Sequence, residues 1–264
     1  MKNLFGWDSP PRTIAEKYID KCLFLSESDS AFSNFRRDED YTKVLEGGQR
    51  IVGENHLKYI RENHGIDAIK ENLVEFKEND LYGNPVIMEF QDIGKICPCT
   101  ILYISHALDI KKMMDSFSPK RIVEIGGGFG ALCKTLSVFY NFDEYVLIDF
   151  PEALSLCRKY LEKFPKIKNK ITYIPCDNPE KYQKIGEVDL FIAIASLAEC
   201  SFDVQMSYID IMMNSVFGFI IYNTNHIPGK KEGMDMILEK TVSVFDRKID
   251  QHIDAAERIQ FFRR

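Results

Sequence analysis

The sequence predicts an α/β protein: a Rossmann-like sheet of seven strands preceded by an N-terminal helical subdomain. Two observations carry that reading. Up to residue 118 apolar residues recur mainly at helical spacing, whereas from Arg121 onward short apolar runs alternate with helical patterns, the rhythm of a parallel sheet covered on both faces. The first of those runs leads straight into three consecutive glycines, Gly126, Gly127 and Gly128. With 264 residues the chain is long enough for one large domain with a helical appendage. The boundary is drawn at residue 118: a cap or substrate subdomain over 1–118, and a nucleotide-binding catalytic domain over 119–264.

The elements follow in order. "RTIAEKYIDKCLFL" sets Ile14, Tyr18, Cys22 and Leu25 on one helical stripe, and "IDAIKENLVEFKEN" does the same with Ile66, Ile69, Leu73 and Phe76. "CPCTILYISHALDIKKMMDSF" reads as a longer helix with Pro98 in its first turn and Ile101, Leu102, Ser105, Leu108 and Met113 turned inward. No run of alternating strands is expected before residue 118. "RIVEI" is then the first strand, a helix runs from about Gly130 to Tyr140, and "YVLID" is the second strand. Pro151 opens the next helix, "ITYIP" is the third strand, "VDLFIAIA" the fourth, and "GFIIYN" the fifth. "DVQMSYIDIMMNSVF" is the helix before that last one. A short helix after Pro228 and Gly229 leads to "TVSVFDRKI" and "ERIQFFRR", which pair as a terminal antiparallel hairpin.

Composition excludes several classes. At 45% hydrophobic and 28% charged residues the chain has the balance of a folded globular protein, not a disordered one. Its net charge of -6 and pI near 5.5 offer no broad attraction for a polyanion, so nucleic acid is excluded and a small-molecule or nucleotide-sugar substrate is expected. The longest apolar run, Leu190 to Ala198, is too short to span a bilayer, and the N-terminus lacks a signal-peptide core, so a cytoplasmic location is expected. Seven cysteines are scattered without paired C-x-x-C spacing and read as reduced thiols; "CPC" at 97–99 lacks further soft ligands, and no metal is expected. An apolar face on the N-terminal helices suits a homodimer.

"VEIGGGFGA" fits two templates. Gly126, Gly128 and Ala131 satisfy the dinucleotide fingerprint G-x-G-x-x-G/A, which keeps an NAD-dependent oxidoreductase in view; Glu124, Gly126, Gly128 and Gly130 satisfy the acidic-x-G-x-G-x-G turn of S-adenosylmethionine (SAM) enzymes. In both, glycines let backbone approach the ligand and the next helix presents unpaired N–H groups. The ligands differ in charge, however: a dinucleotide brings an anionic pyrophosphate, SAM a cationic sulfonium. A Glu124 carboxylate pointing at the ligand favours the cation; the alternative for Glu124 is a solvent-facing or amide-capping role at the strand end. Asp149, 23 residues after Gly126, is placed to accept from ribose hydroxyls, which both cofactors contain, or to cap the helix at Pro151. Phe150 then lies against the adenine face or in the core, and Asp177 either accepts from the adenine amino group or makes an Asx turn before Asn178.

With its strands placed, the sequence resembles the class I SAM-dependent methyltransferases, and more narrowly the sugar O-methyltransferase family of bacterial surface-polysaccharide gene clusters. The likeness rests on "VEIGGGFGALCKTL", "YVLIDFPEALSLCRKYL" and "LAECSFDVQMSYIDIMMNSVFGFIIYN", with weaker echoes in "GNPVIMEF" and "CPCTILYI", together most of residues 83–223. The resemblance implies a class I methyltransferase sheet, SAM as cofactor, and methyl transfer to a sugar hydroxyl of a nucleotide-linked or capsule or lipopolysaccharide precursor. It matches Glu124, Gly126, Gly128 and Gly130 to the cofactor turn, Asp149 to the ribose carboxylate, and Glu199 to the acidic residue after the fourth strand; Gly127 and Ser196 are also counted as cofactor-binding, with Gly127 the least explained of the three glycines. Two stretches depart from the family pattern: "IASLAEC", including Ser196, stands where a serine-asparagine-aromatic stretch is expected, and "CPCT" stands for the usual "SPT".

A sugar hydroxyl is hardly acidic at neutral pH, so a general base is expected. Glu199, beyond the fourth strand at the edge where open α/β sheets bind ligands, is the first candidate, unless it caps the helix near Phe202; His226, in the loop after the fifth strand, is the second, unless solvated. A non-sugar acceptor, such as a capsular phosphoramidate, is the competing substrate class. Asp189 and Glu199 do not form the ligand set of a magnesium-assisted enzyme.

Overall fold

The computed structural model describes residues 14–46, 48–222, 231–253 and 256–263. His226 lies outside these residues.

A two-stranded antiparallel pair, β1 (Met88–Phe90) and β2 (Gly94–Ile96), lies in the helical region, where the sequence predicts no strand. Its three-residue strands are too short to register as an alternating pattern, and their turn is set by Asp92 and Gly94 at positive φ. The main sheet comprises β3 (Arg121–Ile125), β4 (Glu144–Asp149), β5 (Ile171–Pro175), β6 (Val188–Ile194), β7 (Ser215–Tyr222), β8 (Phe245–Gln251) and β9 (Glu257–Arg263). Its order is β5-β4-β3-β6-β7-β9-β8. The first five strands pair in parallel, while β9 inserts antiparallel between β7 and β8. This is the class I methyltransferase sheet with an N-terminal helical subdomain, as the sequence predicts.

The core strands are apolar on both faces because helices cover both, the expected composition of a parallel sheet. One side packs Ile122, Leu147, Leu190, Ile192 and Phe219 against the helices Ile14–Glu27, Pro98–Met114 and Pro151–Leu161. The other packs Val123, Val146, Phe191 and Ile220 against the helices that follow β6 and β7. The predicted stripes hold: Tyr18, Cys22 and Leu25 are buried, as are Ile69 and Phe76.

Two helices are shorter than predicted. The one after the glycine turn spans only Ala131–Leu136 before turning through Ser137 to Phe139. The stretch before β7 splits into Phe202–Ser207 and Ile209–Met213, and its last residues, Ser215 to Phe217, already belong to β7. Likewise "IDAIKENLVEFKEN" breaks into Asp67–Lys70, Leu73–Lys77 and the 3-10 turn Glu78–Asp80.

The helical subdomain is joined to the antiparallel end of the sheet by a buried carboxylate. Asp109, on the helix Pro98–Met114, accepts from Tyr59 at 2.9 Å, from Arg258 of β9 at 2.6 Å, and pairs with His64 at 2.9 Å and His252 at 3.3 Å. Burial alone would raise its pKa, but hydrogen bonds from His252 and His64 and the Arg258 charge hold it well below the usual carboxylate range. Among the described residues no group of three or more His, Cys, Asp or Glu side chains is arranged to hold a metal ion. No described helix is long and apolar enough to cross a membrane. All seven cysteines are free thiols; Cys176 and Cys200 are half-buried and the other five buried.

Candidate functional site

A cavity of about 360 Å³ opens at the carboxyl ends of β3, β4 and β6. It sits where strand order reverses between β3 and β6, the switch point at which open α/β sheets bind ligands. Ile125, Gly126, Gly128, Ile148, Asp149, Phe150, Ala195, Ser196 and Glu199 line its sheet side. Residues Cys176, Cys200, Val204 and Tyr208 close one end, and the helical subdomain supplies Tyr18, Ile19, Lys43, Val44 and Leu45.

The glycine turn is shaped by what surrounds it. Gly126 has φ +75°, and a Cβ there would lie 2.3 Å from Ser196 Cβ; Ser196 in turn donates its hydroxyl to Ile125 O at 2.6 Å, tying the ends of β6 and β3 together. The chain enters that tie through Ala195 at φ +48°, an uncommon backbone state for a residue other than glycine, on the pocket wall. Gly130, at φ +90°, begins the following helix where a Cβ would meet Leu161 and Cys157. Gly127 is required for a different reason: a Cβ would sit 2.2 Å from Leu147 Cδ2, so the turn lies directly on the sheet. Neither Gly127 nor Gly130 lines the cavity; they hold the turn down while Gly126 and Gly128 face the ligand space.

Asp149 is anchored on the cavity wall by two backbone amides. Its Oδ2 accepts from the Gly128 amide at 3.1 Å and its Oδ1 from the Phe150 amide at 2.8 Å, and each oxygen keeps a second lone pair for a ligand hydroxyl. Burial raises its pKa to about 6, against the lowering by those two amides.

Glu124 departs from the orientation its charge suggests. It is buried at 4% exposure, is not among the cavity-lining residues, and accepts a hydrogen bond from Tyr145 at 2.7 Å beneath the turn. Burial pushes its pKa up to about 8 despite the Tyr145 bond, with the Asp149 charge adding to the rise. Glu124 therefore holds its proton more tightly than an ordinary glutamate, and its side chain lies under the turn instead of facing a ligand cation. The physical reason is register: Glu124 pairs with Leu147 of β4, on the face that packs the helices Ile14–Glu27 and Pro151–Leu161, whereas its neighbour Ile125 lines the cavity. Asp177 is exposed and likewise absent from the lining; Cys176, bonded through its amide to Asp149 O at 2.9 Å, takes that place.

The structure thus brings together Gly126, Gly128, Asp149, Phe150, Ser196 and Glu199, and leaves Glu124, Gly127, Gly130 and Asp177 outside the cavity wall. Sequence reasoning missed Tyr18, Lys43, Leu45, Cys200 and Tyr208. Tyr18 belongs to a helical stripe whose members are otherwise core, and nothing in its spacing marks it as pocket-facing.

Compared with family models and with curated proteins, the chain matches none. Among solved structures it is similar to the pyocyanin biosynthetic protein PhzM, at 13% identity over 63% of this chain and 56% of that one, with a TM-score of 0.44. It is similar to the SAH-bound Podospora anserina methyltransferase PaMTH1, at 17% identity over 82% and 97% of the two chains, TM-score 0.46. A third is the N-methyltransferase NodS from Bradyrhizobium japonicum, in complex with S-adenosyl-L-homocysteine, at 14% identity over 60% and 85%, TM-score 0.45. The match spans little more than half the length of PhzM. All three scores lie below 0.5, and it is the order and direction of the chain's own strands that identify the fold.

Proposed function

We propose that the protein is a SAM-dependent O-methyltransferase whose acceptor is a sugar hydroxyl, on a nucleotide-linked or surface-polysaccharide precursor. The observation that carries the cofactor half of this reading is the bond between the Gly128 amide and Asp149. In a dinucleotide site the amides of the glycine turn receive a pyrophosphate; here one of them is already committed to a carboxylate, and a pyrophosphate beside it would meet like charge. The antiparallel insertion of β9 beside β7 points the same way, since the dinucleotide fold continues with a further parallel strand. Glu124, buried and off the cavity wall, no longer contributes to that choice.

The residues present fit SAM. Gly126 and Gly128 bring bare backbone to the cavity wall, Asp149 offers two acceptor oxygens suited to a ribose diol, and Phe150, Val204 and Tyr208 supply apolar surface for a purine. When bound, SAM supplies a methyl group on a sulfonium leaving group, which leaves the protein to align an acceptor and take its proton. Glu199, on the cavity wall at the carboxyl edge of the sheet, is assigned the proton-accepting role. The acidic surface, with a net charge of -6, supports a small acceptor over a polyanion. The sugar assignment rests on the sequence resemblance.

Incubation with methyl-labelled SAM and a panel of nucleotide-linked sugars tests the reading. Label on a sugar hydroxyl is the expected result. Label only on non-sugar acceptors overturns the acceptor class, and absence of SAM binding overturns the cofactor as well.

A further inference from the structure

Leu45, from the segment that follows the short helix Glu39–Thr42, is seated against the glycine turn: a Cβ on Gly128 would lie 2.9 Å from Leu45 Cδ1. Lys43, Val44 and Leu45 together roof the cavity from the side of the helical subdomain. What holds this segment down is a buried cluster behind it. Glu46 is met by Arg36 through two hydrogen bonds, Nε at 2.9 Å and Nη2 at 2.8 Å, and Arg36 has no solvent exposure at all. Arg36 also donates to Asn79 O at 2.8 Å and to Cys97 Sγ at 3.2 Å, and its guanidinium lies over the ring of Phe129, 5.0 Å from the centroid. Phe129 is itself part of the glycine turn. The "CPCT" stretch completes the cluster: Cys97 Sγ donates to Glu46 Oε1 at 3.2 Å, Cys99 Sγ to Leu45 O at 3.8 Å, and Thr100 to Asp80 at 2.6 Å.

We propose that Arg36 is a positioning residue for the cavity. Through Glu46 on one side and Phe129 on the other, it locks the 43–46 roof and the 126–130 turn into one unit, although Arg36 itself does not line the cavity. A planar, always-charged fork suits this task, because one side chain satisfies a carboxylate in two places and stacks on an aromatic ring at once. The unit fixes how far Leu45 stands from Gly128, and so fixes the height of the ligand space above the turn. The consequence for cofactor affinity rests on the SAM reading given above; the mechanical coupling does not.

The test combines hydrogen–deuterium exchange with calorimetric titration of S-adenosylhomocysteine, on wild type, Glu46→Gln, and the paired replacement of Arg36→Met with Glu46→Leu. The paired variant fills the buried volume with apolar side chains and carries Asp80→Asn as well, because Arg36 also pairs with the Asp80 carboxylate at 3.6 Å, so that no buried charge is left unpaired if the single variant does not fold. Ile60→Val, in the separate core behind the helices Arg50–Asn63 and Pro98–Met114, is the control for general loosening. In the cluster variants the amides of 43–46 and of 126–130 exchange faster together, and S-adenosylhomocysteine affinity falls about tenfold or more, while the control changes neither. Faster exchange in 43–46 with 126–130 unchanged overturns the proposal, as does an unchanged affinity in folded variants. If wild type binds no S-adenosylhomocysteine, the methyltransferase reading falls, and the exchange of the two segments still decides the coupling.

Discussion

The Gly128 amide donates to Asp149 Oδ2 at 3.1 Å, so the glycine turn after β3 and the end of β4 converge on a single carboxylate at the cavity wall. That carboxylate also takes the Phe150 amide at 2.8 Å, which fixes its orientation before any ligand arrives.

On the proposed reading, Asp149 is expected to contribute most to cofactor affinity. Asp149→Asn retains the shape but replaces one acceptor oxygen with a donor, and S-adenosylhomocysteine affinity is expected to fall about 10- to 150-fold, as for loss of a charge-assisted hydrogen bond. With a pKa near 6, the wild-type carboxylate is protonated as pH drops toward 5, so affinity falls through that window. The Asn variant has a weak and nearly flat pH response, measured by titration calorimetry at pH 5 to 8.

Gly126→Ala disrupts the turn. The residue needs φ +75° and has no room beside Ser196, so the substitution is expected to cost about 1–3 kcal/mol in urea unfolding and to abolish measurable S-adenosylhomocysteine binding. A wild-type affinity in this variant means that the turn does not shape the site.

Burial of Glu124 is expected to make one contribution to the pH dependence of stability. Its folded pKa of about 8 lies above the ordinary glutamate value of 4.5, so the folded state binds the proton more tightly. The stabilising contribution is complete below 4.5 and is lost as pH rises through 8, with a slope of at most about 1.4 kcal/mol per pH unit. Glu124→Gln removes this dependence: its melting temperature changes less than that of wild type between pH 5 and 8.5, read by thermal denaturation.

Glu199→Gln separates chemistry from binding. Loss of the proton acceptor lowers kcat by about 10²- to 10⁴-fold, while S-adenosylhomocysteine affinity stays within a few-fold of wild type. An unchanged kcat assigns the base to another group.

Much of the fold is legible because a parallel sheet covered on both faces writes its strands as short apolar runs. "RIVEI" and "ITYIP" coincide with β3 and β5 residue for residue, and the terminal hairpin pairs as expected. The short pair β1 and β2 escapes because three residues carry too little alternation. At the site, Gly126, Gly128, Asp149 and Ser196 are recognisable because their positions follow from strand ends. The direction of Glu124 is not, because alternation in a strand buried on both faces leaves no polar mark of which side each residue takes. Leu45 and Arg36 are invisible for a different reason: their role comes from contacts across more than 80 residues of chain, with Gly128 and Phe129.

The most direct test of the central claim is a pair of calorimetric titrations on the wild-type protein, one with S-adenosylhomocysteine and one with NADH, at pH 7.5. Saturable binding of S-adenosylhomocysteine that is lost in Gly126→Ala and weakened in Asp149→Asn, with no heat from NADH, is the predicted result. Binding of NADH without S-adenosylhomocysteine binding contradicts the account.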